Sequence, residues 1–303
     1  MNRNDFIKLS VSGLIGLGGF ASRLIYAGED MSATNPEAVK SGIKEDPTVR
    51  DKFWIWGHEA GAYNGQWGLP GNSRMTPVEG AFYMGIPNII LVRYEGKPQP
   101  PFFQYAIPFK PLKRILWSIT GASGITSDEE RKQVYALAER MPNIVGFQMD
   151  DFFQGEDKAA LSLDELRNAR KELTIGGRKL DLCVTLYTHQ LFPAFKEHLA
   201  LCDIVSFWTW KAEDLKDLES NFAKMKELAP QSSVLLGCYM WDFGINKPIS
   251  VDWMKKQCEI GLRWLKEGQI NGMIFLATPI CDLELETVEW TRRWIAEVGD
   301  ESI

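Results

Sequence analysis

Eight short apolar runs, each followed by an amphipathic stretch, constrain this chain more than any other feature. They are Phe53–Gly57, Asn88–Tyr94, Arg114–Ile119, Ile144–Met149, Leu180–Leu186, Asp203–Trp208, Ser233–Tyr239 and Gly272–Ala277. Their starts lie roughly 23 to 39 residues apart, the length of one strand–helix unit. Continuous apolar runs of this kind suit parallel strands covered on both faces. Between them, Thr76-Pro77-Val78-Glu79, Ser127-Asp128-Glu129-Glu130 and Ser162-Leu163-Asp164-Glu165 each read as a capping box opening a helix. Leu215, Leu218, Phe222 and Met225 mark a sixth helix at helical spacing, and 251–266 and 285–298 supply the last two. Gly176-Gly177 reads as the stop of the fourth helix, Gly268 as that of the seventh, and Asp282 as a cap near the last. Eight alternating units argue for a single (β/α)8 TIM barrel over residues 51–303 rather than an open doubly wound sheet. No Gly-x-Gly-x-x-Gly follows the first run, so a dinucleotide fold has no support.

Residues 1–27 read as a signal peptide. Arg3 and Lys8 precede the apolar, Gly-rich stretch from Leu9 to Ala21, and a cleavage site is expected at Ile25-Tyr26-Ala27. The stretch is too short to span a bilayer, so no membrane association is expected after its removal. Asn2-Arg3-Asn4-Asp5-Phe6-Ile7-Lys8 resembles a twin-arginine export motif, with Asn4 in place of the second arginine. The expected location is therefore periplasmic or extracellular. Residues 28–50, polar and without periodicity, read as a leader segment. A net charge of -6 without a basic face argues against nucleic-acid binding. Cys183, Cys202, Cys238, Cys258 and Cys281 are scattered without a CxxC pair and read as buried structural thiols.

In a barrel of this kind the loops after the strands form one mouth, where ligands bind. The first run leads into His58-Glu59 and on to Trp67, and the second into Tyr94-Glu95 and the Pro-rich 96–105 loop. The third run carries Trp117, the fourth ends in Asp150-Asp151, and the fifth leads to Tyr187 and His189. The sixth leads to Trp208 and Trp210, and the seventh to Tyr239, Trp241 and Asp242. Carboxylates to move protons, polar groups for hydroxyls and aromatic faces for rings suit a neutral sugar. On the fourth run Gly146, Gln148 and Asp150 share one parity, which places Asp150 toward the axis and Asp151 at the turn. Asp151 is the expected general acid, Asp150 its orienting or polarising partner, and Asp242 the separate carboxylate, with Glu59 and Glu95 as substitutes. Tyr187, His189, Trp208, Trp210, Tyr239, Trp241, Trp67, Trp117, His58, Glu59 and Glu95 are the expected substrate-binding residues.

A strand-four acid with a strand-seven carboxylate resembles the clan of retaining TIM-barrel glycoside hydrolases. The Asp150-Asp151 pair is similar to that of the O-GlcNAcase-like hexosaminidases, in which one Asp polarises the acetamido group and the next is the acid/base. That resemblance implies those two roles for Asp150 and Asp151, and a sugar-binding place for Trp241-Asp242. Where the clan commonly carries Glu, this chain carries Asp. A secreted glycoside hydrolase acting on a neutral or N-acetylated sugar, without cofactor or metal, is the leading expectation. A metal-dependent sugar isomerase, epimerase or lyase, with ligands from His58, Glu59, Glu95, Asp150, Asp151, His189 and Asp242, is one alternative. A non-catalytic carbohydrate-binding barrel is the other.

Overall fold

The computed structural model describes residues 46–303. The expected signal peptide and most of the expected leader segment lie outside the described residues. Eight parallel strands close into a barrel: β1 Phe53–Gly57, β2 Asn88–Leu91, β3 Arg114–Thr120, β4 Ile144–Met149, β5 Asp181–Tyr187, β6 Ile204–Trp208, β7 Ser233–Tyr239 and β8 Gly272–Leu276. Each pairs with its sequence neighbours, and β1 closes the ring on β8 through the Phe53–Met273 to Trp56–Leu276 register. The strands alternate with helices α1 Pro77–Met84, α2 Phe103–Ala106, α3 Asp128–Arg140, α4 Leu163–Lys171, α5 Lys196–Leu199, α6 Leu218–Leu228, α7 Val251–Lys266 and α8 Glu286–Val298. The chain is thus a (β/α)8 barrel. The strands read as unbroken apolar runs because both of their faces are covered, and nearly every strand residue is buried.

Local chemistry explains where expected and observed bounds part. β2 stops at Leu91 because Tyr94 and Lys97 exchange backbone hydrogen bonds across a tight turn of their own, with Glu95 and Gly96 at positive φ. The Thr76 and Ser162 boxes form in full at α1 and α4. At α3 only half forms: Ser127 accepts the Glu130 amide, but the Glu130 carboxylate turns away to a buried ion pair with Arg93. Gly176-Gly177 does not stop α4, which ends at Lys171; it turns a two-residue hairpin between 174–175 and 178–179. Asp282 does not cap α8; its Oδ2 accepts the Arg74 amide at 2.9 Å. Val49 is fully buried, and its amide and that of Arg50 donate to Glu301 and Gly299, so the last residues of the expected leader belong to the barrel. All five cysteines are free and buried.

The barrel interior changes character along its axis. Trp54, Leu116 and Leu235 lie toward the strand starts, and Trp56, Trp208 and Tyr239 toward the strand ends. In the middle of β4, Gln148 Nε2 donates to Thr185 Oγ1 at 2.9 Å, and Ser206 Oγ reaches the same oxygen at 3.3 Å. Thr185 passes its own proton on to Asp150 Oδ1 at 3.1 Å. A buried polar chain across β4, β5 and β6 therefore ends at the first aspartate of the pair. Since buried polar atoms are costly without partners, this chain fixes the Asp150 rotamer.

Candidate active site

A cavity of about 790 Å3 opens at the carboxyl ends of the strands. Its floor is aromatic. Trp208, 1% exposed, lies against Trp56 (ring centroids 5.3 Å, 82°) and Tyr239 (4.9 Å). The indole has room because position 237 is glycine: a Cβ there would lie 2.0 Å from the Trp208 ring. The wall between the β1, β6 and β7 loops is Trp67, Trp210 and Phe243, whose rings meet edge-on or tilted at 5.6–6.5 Å. Opposite stand Ala122 and Ser123 after β3 and Phe153 and Gln154 after β4.

Asp150 and Asp151 both line this cavity, in different settings. Asp150 is 6% exposed; burial, and secondarily the charge of Asp151, holds its pKa well above the usual carboxylate range, against the Thr185 hydroxyl and the Asp151 amide. Asp151 is half-buried and left-handed (φ 44°), a backbone state that costs a non-glycine residue of order 1 kcal/mol. Its Oδ2 accepts the Ser123 amide at 2.8 Å and its Oδ1 the Tyr187 hydroxyl at 3.0 Å. Ser123 is itself left-handed (φ 64°), so donor and acceptor are both held in unfavourable backbone states to make this contact. Tyr63, Tyr187 and Tyr239 surround the pair. Burial first, then the charges of the two aspartates, pushes all three phenols well above their ordinary pKa; the Tyr239 hydroxyl adds to the rise at Tyr63 and Tyr187, whereas Tyr187 opposes it at Tyr239.

The other expected residues divide. Trp67, Tyr187, His189, Trp208, Trp210 and Tyr239 line the cavity, as does His58. The His58 nitrogens are already committed, however: Nδ1 lies 2.8 Å from the Val92 carbonyl, and Nε2 accepts from Trp56 Nε1 at 3.1 Å. Burial lowers its pKa to about 4, so the ring is neutral and presents only its face to the cavity. His189 stacks on Tyr187 (5.3 Å, 10°) at the rim; what burial it has lowers its pKa, opposed by Asp214.

Five residues stand elsewhere. Trp117, 0% exposed, packs on the helix side of β3 against Phe102 and Phe109. Its parity is that of Ile115 and Ile119, and alternation along β3 turns these residues outward. Glu59 and Glu95 border a separate recess of about 140 Å3, where Glu95 accepts from Gln66 Nε2. Trp241 is buried and donates Nε1 to the Trp67 carbonyl at 2.9 Å, bracing the β1 loop. Asp242, 4% exposed, accepts the Ala212 amide at Oδ2 and the Gly244 amide at Oδ1, each at 3.1 Å. Its two oxygens tie the β6 loop to the β7 loop, and it does not line the cavity, where the sequence places a separate carboxylate. The third carboxylate lining the cavity is Asp214.

Sequence reasoning passed over Trp56, Phe243, Ser123, Gln154, Lys211 and Asp214, all of which line the cavity. Trp56 had a readable signal, since it shares strand parity with Trp54 and His58. The loop residues had none, because period-two alternation ends where the strands end. Among the described residues no three His, Cys, Asp or Glu side chains gather as a metal-ligand set.

No protein-family model matches the chain, and no curated protein matches it by sequence. Solved structures do match. A Bacteroides thetaiotaomicron protein assigned as an α-L-fucosidase superposes with a TM-score of 0.53 at 11% identity, over 84% of this chain and 98% of that one. A xylanase–α-amylase inhibitor protein in complex with trehalose gives 0.51 at 12%, over 81% and 98%. A GH18 chitinase from Pseudoalteromonas aurantia gives 0.50 at 12%, over 82% and 99%. At such identities these likenesses establish the fold, which glycosidases and an inhibitor share: the chain is a (β/α)8 barrel similar to theirs.

Proposed function

We propose that this protein is an exported glycoside hydrolase acting on a neutral or N-acetylated sugar. The observation that carries the reading is the adjacent Asp150 and Asp151 facing an aromatic cavity at the ligand-binding end of the barrel. Asp151 is the acid/base: it lines the cavity from a strained backbone, oriented at both oxygens by Ser123 and Tyr187. Asp150, buried beneath it with its pKa raised by that burial, is the polarising partner. Trp67, Trp210 and Tyr239 offer ring faces to the sugar. With Asp242 committed to backbone amides, the second participant in bond cleavage is Asp214 or a group on the sugar itself. Structural neighbours named as a fucosidase and a chitinase are consistent with this class at the level of the fold. A metal-dependent reading finds no ligand set among the described residues, and the His58 nitrogens are taken. Export rests on the basic and apolar N-terminal sequence alone.

A survey of 4-nitrophenyl glycosides, with and without an N-acetyl group, tests the reading. At least one should be cleaved by the wild type, and Asp151→Ala should lower that cleavage, less so than for an unactivated glycoside, while the protein stays folded by circular dichroism. A wild type that binds sugars and cleaves none would favour the non-catalytic carbohydrate-binding barrel.

A further inference from the structure

The cavity wall after β6 carries a charge that the acid/base pair does not use. Lys211 is the one Lys or Arg side chain among the cavity-lining residues. Among the described residues its ammonium enters no ion pair within 4.0 Å, although eleven such pairs engage other side chains. Its stem is seated, not loose. Gly244 leaves the space it occupies, since a Cβ at 244 would lie 2.5 Å from Lys211 Cγ and 2.9 Å from the Trp210 carbonyl. The backbone just after it is held too, because buried Asp242 accepts the amides of Ala212 and Gly244 and so clasps the two loops together. The clasp therefore seats the stem of Lys211, an exposed residue free of ion pairs, in the same cavity wall as Trp210 and Phe243.

Asp214, three residues on, also lines the cavity but lies beyond ion-pair distance of Lys211, and its field bears on His189. Burial raises the pKa of Asp150, which weakens its negative charge. The wall that carries Trp210 and Phe243 thus holds the one cationic side chain of the cavity lining. A seated lysine stem ending in an ammonium suits an anionic substituent on a ring whose apolar face stacks on those aromatics.

We propose that Lys211, held by the Asp242–Gly244 clasp, forms a subsite for a negatively charged substituent of the sugar, a carboxylate or a sulfate ester. This rests on the glycoside hydrolase reading and narrows its substrate from a neutral sugar to one that bears an acidic substituent, with or without an N-acetyl group. Binding, not cleavage, is the readout that separates the two. Quenching of tryptophan fluorescence by glucuronic acid, by a sulfated glucose and by glucose should show the acidic sugars bound about tenfold or more tighter, the gain expected of one charge-assisted contact. Lys211→Gln should bring the acidic-to-neutral affinity ratio close to one, and Lys211→Arg should keep it. The preference should also shrink as salt rises. A carboxylate-only or sulfate-only preference identifies which anion the subsite takes. Equal affinity for acidic and neutral sugars, a ratio unchanged in Lys211→Gln, or no sugar binding at all would overturn the subsite. Acidic-sugar preference without hydrolysis would leave the subsite standing and remove the hydrolase reading.

Discussion

Asp150 and Asp151 are chemically identical side chains held in different surroundings. Burial raises the Asp150 pKa, so the folded protein binds its proton more tightly than the unfolded chain does. Its contribution to stability is greatest below the ordinary carboxylate pKa and falls as pH rises from there toward the raised value. Asp150→Asn removes that loss. We expect the variant to be inactive yet more stable than wild type at pH 7, with a flatter dependence of urea midpoint on pH above 4. His58 acts in the opposite pH range. Its pKa is lowered to about 4 from 6.5, so the unfolded chain takes up a proton first as pH falls. Stability should therefore drop between pH 6.5 and 4 by on the order of 3 kcal/mol from this ring alone, measurable by urea unfolding across that window. Tyr187 positions Asp151 through one hydrogen bond. Tyr187→Phe should lower kcat about tenfold and shift the pH–rate profile, whereas a stacking role alone would change KM and leave the profile in place.

At the scale of elements, what could be read in advance was what repeats. β1, β4 and β7 carry continuous apolar runs and match their expected bounds, and the Thr76 and Ser162 boxes announce α1 and α4. What could not be read depended on partners distant in sequence. Glu130 looks like half of a capping box until Arg93 is brought beside it, and Asp242 looks like a free acid until Ala212 arrives at its Oδ2. Trp117 differs: its place near a strand end suggests the mouth, but its parity with Ile115 and Ile119 turns it outward. Gly237 shows the same dependence on distant partners, since only the β6–β7 packing reveals why it has no side chain. Gly237→Ala should destabilise the barrel by roughly 1–3 kcal/mol, as overpacking does, and should displace Trp208 from the cavity floor. The double variant Gly237→Ala, Trp208→Ala should cost less than the sum of the two single changes in urea unfolding, because both act on one contact.

For the molecule as a whole, the barrel brings side chains far apart in sequence to one end and leaves catalytic identity to loop detail. That is why the (β/α)8 architecture followed from periodicity while the cavity wall did not. Trp67, Trp210, Lys211 and Phe243 come from three different loops, and backbone contacts such as Trp241 Nε1 to the Trp67 carbonyl set their arrangement. The resulting site has one acid fixed in a polar chain from the barrel interior and another poised above it at the cavity surface. Leaving-group dependence tests that division of labour most directly. Wild type and Asp151→Asn should be compared on a substrate with a poor leaving group and on its 2,4-dinitrophenyl counterpart, which needs no proton to depart. The account predicts that kcat/KM falls about 10²- to 10⁴-fold in the variant for the poor leaving group and changes little for the dinitrophenyl one. Equal losses on both, or no loss on either, would contradict a proton-donating Asp151.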